Sequence, residues 1–138
     1  YRYRMTAEGM YFFTVRATNP DNNVYQDTVA VTAFSAPLLD ALLRAKWQSM
    51  TDALQLKDIT AALHLMYSVS KDRYQTTLNL LVDQLPAIVA THTGLVFDYV
   101  QEDRAFYELK TLENGSKFSY RVVFIKDPLT GLWMIREF

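Results

Sequence analysis

Residues 10–18, MYFFTVRAT, set Tyr11, Phe13, Val15 and Ala17 against Phe12, Thr14, Arg16 and Thr18. That period of two, rich in aromatic and β-branched residues, predicts a strand. Turn chemistry follows in NPDNN at 19–23. A second strand is expected from Val24 to Phe34, with Val29, Val31 and Ala33 on one side, and a further short strand over residues 1–6. At Ser35-Ala36-Pro37 the period changes. Ser35 suits a helix N-cap, and Pro37 falls in a first turn, where its missing N–H costs little. Leu39, Leu43, Trp47, Met50 and Leu54 then recur at helical spacing along one face. Asp58 is placed to cap a second helix carrying Ile59, Ala62, Leu63 and Met66. A third is expected to start near Ser70 and Asp72, with Tyr74, Leu78, Leu81 and Leu85 as its stripe. Pro86 should break that helix, and AIVAT should continue at a new angle.

After Gly94 the period of two returns, and strands are expected near 95–101, 104–113, 116–126 and 131–138. ENGS at 113–116 is the sharpest local signal, because Asn114-Gly115 tolerates positive φ at both positions of a type I′ turn. That turn fixes the register. Glu113 faces Ser116, Leu109 faces Tyr120, Glu108 faces Arg121 and Tyr107 faces Val122, and the last two are favourable cross-strand pairs. The register after KDPLTG is open by one residue, and one residue inverts every side chain. Helices followed by an antiparallel meander predict an α+β fold with three N-terminal helices across one face of a curved sheet.

Two stretches resemble known families. LLRAKWQSMTDALQLKDITAALHLM, Tyr74 on a helix and FSYRVVFIKDPLTGLWMIREF together resemble the nuclear-transport-factor-two-like, or SnoaL-like, superfamily. The matching marks are Trp47, Asp58 with Ala62-Leu63, and Phe124 with Gly131, Trp133 and Ile135. The resemblance covers about residues 37–138 and implies a cone between helices and sheet, which enzymatic members line with an acid or histidine and a tyrosine. The early strand that many members carry between the second and third helices is not evident. The opening segment, with Gly9, Tyr11, Val15, Asp27, Thr28, Val29 and Val31, resembles the last two strands of a bacterial immunoglobulin-like or PKD-type repeat. A complete sandwich needs about seven strands and roughly 100 residues. Residues 1–34 are therefore read as the tail of such a domain, and 35–138 as the cone domain.

Candidate chemistry is sparse. On the paired strands Tyr107, Leu109, Tyr120, Val122 and Phe124 form the more apolar face, expected to meet the helices. Glu108, Arg121 and Asp98 then point outward, and no inward strand carboxylate emerges, which counts against an isomerase or dehydratase. No catalytic residue is assigned. Tyr67, Tyr74, Tyr107 and His64 are the candidates for contacts inside a cone. Each has a plainer alternative, as a core tyrosine with one hydrogen bond or a boundary histidine. His92 is read as a loop residue. Phe106, Val123 and Ile125, with Val96 and Val100, are expected to form an outward apolar patch around Glu108 and Arg121, of the kind that marks a protein contact.

Composition narrows the partners. Net charge is −1 with no basic run, so nucleic acid is not implied. There is no cysteine, so disulfides and thiolate metal sites are excluded, and two distant histidines do not make a zinc site. The 4 glycines do not cluster into a phosphate loop, and no cofactor is implied. No apolar run approaches the roughly 20 residues that span a bilayer. The resulting expectation is a non-catalytic structural or protein-interaction module of a larger secreted or cell-surface bacterial protein. Its partners would be neighbouring domains of the parent protein, or a second copy through the outer sheet face. The alternative is a small-molecule-binding or enzymatic cone.

Overall fold

The computed structural model describes residues 5, 7, 9–33 and 35–138. It is an α+β fold in which a two-stranded hairpin precedes four helices and a four-stranded antiparallel sheet. The chain divides into two compact units, Tyr1–Leu39 and Asp40–Phe138. The strand expected over residues 1–6 lies outside the described residues, apart from Met5, and so does Phe34.

In the first unit, β1 (Gly9–Thr18) pairs with β2 (Val24–Ala33) without a register shift, from Gly9 opposite Ala33 to Thr18 opposite Val24. The turn is made by Asn19, whose side-chain oxygen accepts from the backbone N–H groups of Asp21 and Asn23. Asn22 takes positive φ, which asparagine tolerates better than most residues. The ribbon is apolar on both faces. Tyr11, Phe13, Val15, Val29 and Val31 share one face, and Met10 and Phe12 lie on the other, 62% and 67% exposed.

Helix α1 (Ala36–Gln55) begins as the sequence dictates. The Ser35 hydroxyl accepts from the Leu38 N–H at 3.4 Å, and Pro37 occupies the first turn. Every member of its stripe, Leu39, Leu43, Trp47, Met50 and Leu54, is buried. Each such side chain removed from water contributes about 1.5–3 kcal/mol. α2 (Ile59–His64) is capped by Asp58, whose carboxylate accepts from the Ala61 N–H at 2.9 Å.

The third helical segment departs from expectation. α3 (Ser68–Leu80) starts two residues before Ser70 and ends well before Pro86. The chain turns through residues 81–84 and starts again as α4 (Leu85–Ala90), with Pro86 in its first turn. There the proline serves as a helix starter and not a breaker, because a first-turn N–H has no intrahelical partner to lose. Tyr74, Leu78 and Leu85 are all buried, but they sit on two helices, so three expected helices become four.

The main sheet runs in the order β3 (His92–Gln101), β4 (Arg104–Glu113), β5 (Ser116–Lys126), β6 (Trp133–Glu137). The Asn114-Gly115 turn has positive φ at both residues, and the pairing it dictated is present throughout, including Glu108 opposite Arg121 and Leu109 opposite Tyr120. The open register after KDPLTG resolves with Lys126 opposite Trp133 and Phe124 opposite Ile135. Extra residues at Thr93, Asp98 and Arg136 break the register, and such bulges bend and twist a strand. Segment 65–67 adds to the far edge of β6: the Tyr67 N–H donates to the Ile135 carbonyl at 2.7 Å, and the Ile135 N–H to that of Leu65 at 3.0 Å. Polar links tie helix to sheet. The Tyr107 hydroxyl donates to Asp40 at 2.9 Å, and the Arg44 guanidinium donates to the Leu95 carbonyl.

Candidate functional site

Between α3, α4 and the near ends of β3, β4 and β5 lies an open hollow of about 790 Å³. That volume is within the range of small-molecule sites, roughly 300–1,000 Å³. Leu78 comes from α3, and Leu81 from the turn after it. Leu85 and Ile88 come from α4, and Leu109 from β4. These side chains converge because helical spacing on α3 and α4 and strand alternation on β4 turn their apolar positions toward one another.

Phe138 forms one end of the hollow. Its ring stacks on Tyr74 at 4.8 Å and meets Trp47 edge-on at 5.5 Å. The Tyr74 hydroxyl is fully used: it donates to the Phe138 carbonyl at 3.0 Å and accepts from the Phe138 N–H at 2.9 Å. Tyr74 is thus a clamp on the last strand's exit.

The other end is polar. Glu113 closes β4, half-buried, and its carboxylate accepts from the Thr111 hydroxyl at 2.7 Å and from the Tyr120 hydroxyl at 3.4 Å. Desolvation first, and then the hydrogen bond to Glu113, raises the Tyr120 hydroxyl's pKa above the usual value of 10.0. Across from them His92 leaves α4 and opens β3, its ring 6.0 Å from Trp47. Its Nδ1 is buried with no hydrogen-bond partner among the described residues. Burial lowers the His92 pKa, and the nearby Glu113 charge opposes that shift.

A pH dependence follows from that shift. The unfolded chain binds the His92 proton more tightly than the folded one, so stability rises with pH across this titration. The contribution is intact above the ordinary value of 6.5 and declines as pH falls below it toward the lower folded value. Urea unfolding midpoints at pH 7.5 and 5.5 should show the loss, and His92→Gln should shrink it. An unchanged slope in the variant would mean that another group carries the effect.

The sequence candidates are scattered. Of the four proposed cone contacts, Tyr74 lines the hollow. Tyr107 is buried with its hydroxyl on Asp40 and the Arg44 guanidinium 5.9 Å from its ring centre. Burial first, then Asp40, raises its pKa strongly, so the hydroxyl stays protonated. Tyr67 lies away from the hollow, beside Arg73, Ile125 and Arg136 in a recess of about 400 Å³. His64 is exposed at the end of α2.

Three expectations about the sheet need correction. Val123 and Ile125 are not part of an exposed patch, being only 4% and 6% exposed. β5 is an interior strand, and each of them lies between two long cross-strand neighbours: Phe106 and Glu137 for Val123, Arg104 and Met134 for Ile125. Phe106 itself is half-buried and stacks on Tyr99 at 4.5 Å. Glu108 and Arg121 face each other as expected, but the Glu108 carboxylate is bonded along its own strand to Lys110, which also reaches Ser119. The second correction concerns the acid at the hollow. Asp98 and Glu108 stand exposed, but Glu113 lines it. Its odd position on β4, in phase with Tyr107, Leu109 and Thr111, was the available signal. His92 is not a loop residue but the first residue of β3, and its place against Trp47 is a tertiary fact with no local signature.

Among the described residues no group of three or more His, Asp or Glu is arranged to hold a metal ion, and no helix is long and apolar enough to cross a membrane. No family model matches the chain, and neither a curated protein nor a solved structure matches it.

Proposed function

We propose that residues 37–138 form a nuclear-transport-factor-two-like cone, and that the chain is a non-catalytic interaction module of a larger secreted or cell-surface bacterial protein. The observation that carries this reading is the hairpin of β1 and β2. Two isolated strands are barely stable in water, yet this pair exposes Val15, Tyr25 and Val29 on one face and Met10 and Phe12 on the other. The alternating set of Tyr11, Phe13, Val15, Val29 and Val31 fits the inner face of a sandwich, whose remaining strands would cover it. For the cone, support comes from helices preceding a bulged antiparallel sheet whose inner face, Tyr107, Leu109, Val122 and Phe124, is buried. The hydroxyls of Tyr74 and Tyr107 are engaged in holding the domain together.

The reading frame upstream of Tyr1 tests the proposal. It should encode an export signal and alternating strand segments completing a sandwich of about seven strands. An initiator methionine directly before Tyr1 would overturn it.

The hollow of about 790 Å³ favours a second reading, in which the cone domain binds a small molecule. Thermal-shift screening against apolar and aromatic metabolites separates the two, since a purely structural module gives no response.

A further inference from the structure

The charge distribution around the hollow says which molecules it would accept. Its walls are largely apolar, and among the described residues the side chains that reach it include a single formal charge, the Glu113 carboxylate, with the α-carboxylate that Phe138 carries in the 138-residue chain as a further anion at the other end. Among the described residues no lysine or arginine lines it. Thr77 spends its hydroxyl on the Arg73 carbonyl, Thr91 on that of Ile88, and Tyr74 on Phe138. What is left is a carboxylate acceptor, the Tyr120 hydroxyl bound to it, the His92 imidazole, and the Asn114 and Gln84 amides.

Resting on the small-molecule reading above, we propose that the hollow selects apolar, ring-sized molecules bearing a neutral hydroxyl or a protonated amine, and excludes the matching carboxylates, with Glu113 as the residue that sets this choice. A hydroxyl would donate to the Glu113 carboxylate, and its oxygen could accept from a polar group beside it such as the Asn114 amide. An ammonium would supply the missing counter-charge of Glu113, while the ring that carries it lies against the apolar walls. A carboxylate would bring another anion beside Glu113, with no cation among the described lining residues to offset it. Repulsion between like charges at close range disfavours that carboxylate relative to the alcohol and the amine.

The test uses three probes on one skeleton, 2-naphthalenemethanol, 2-naphthylmethylamine and 2-naphthoate, titrated calorimetrically into the 138-residue chain at pH 7.5. The alcohol and the amine should bind, and the acid should bind at least about tenfold more weakly, a gap of roughly 1.4 kcal/mol. In Glu113→Gln the shape and the accepting oxygen remain while the charge is gone. The acid should then approach the alcohol to within about threefold, and the amine should lose affinity. Tyr120→Phe keeps the charge and should keep the ranking. Backbone NMR shifts on alcohol binding should gather at Leu78, Leu85, His92 and Glu113. If the acid binds the unaltered chain as well as the alcohol does, or Glu113→Gln leaves the ranking unchanged, the charge-selection proposal fails while a binding hollow stands. Silence from all three probes at millimolar concentration removes both. The ranking in the unaltered chain decides the matter even if the Glu113 variant does not fold.

Discussion

Phe124→Ala should remove about 3–5 kcal/mol from the unfolding free energy of the helix-and-sheet unit, the range for truncating a fully buried phenylalanine. Phe124 has no exposed surface, and neither do its neighbours Val122 and Ile135. Its ring meets Tyr107 edge-on at 5.3 Å, and Tyr107 in turn meets Phe97 at 5.4 Å. The cost has two parts. Apolar surface is no longer removed from water on folding, and the void left behind cannot close, because β5 is pinned on both sides by β4 and β6. Phe124→Leu keeps most of the volume and should cost less than half as much. Urea denaturation followed by far-UV circular dichroism measures both. A loss below about 1 kcal/mol for the alanine variant would mean that the sheet does not pack on the helices as described.

Trp47→Ala should be comparably severe, about 3–5 kcal/mol, and should also abolish binding in the hollow. Trp47 is the middle of the α1 stripe and nearly buried. It contacts His92 at the start of β3 and Phe138 after the last strand, so one side chain holds both ends of the sheet's order against α1. Without it Phe138 loses the edge-on partner that fixes its ring at the hollow, although its backbone stays bound to Tyr74. Trp47→Phe should retain the fold and lose about 1–2 kcal/mol, since it keeps an aromatic plane and gives up volume. Thermal unfolding monitored at 222 nm, together with calorimetric titration of 2-naphthalenemethanol, separates loss of fold from loss of the site. Full-strength binding by the alanine variant would show that Trp47 does not shape the hollow.

The corrections at Val123 and Ile125 and at Glu113 share a cause. Alternation assigned Val123 and Ile125 to the outer face, and the strand does place them opposite Phe124. Facing outward, however, does not make a side chain exposed: interior position and long cross-strand neighbours bury both. Glu113 is the converse. Parity put it on the inner face, but its value as a site residue depends on α4 ending near it and on His92 arriving from the next strand. Pro86 shows the same limit on the helical side. Its ring rules out a helix interior, but a first turn and a break satisfy that rule equally, and the choice fell with the turn at 81–84.

Local chemistry determined a great deal by itself. The α1 stripe, the Asp58 cap, the Asn114-Gly115 turn and the register it imposes all depend on residues within a few positions of one another, so their outcome needed no distant partner. The tertiary structure alone decided which polar groups meet. Glu113, Tyr120 and His92 come from three strands, and Phe138 reaches Tyr74 across 64 residues. Such meetings depend on where bulges bend the sheet and where α3 stops, and those are set by packing against surfaces that no sequence window contains.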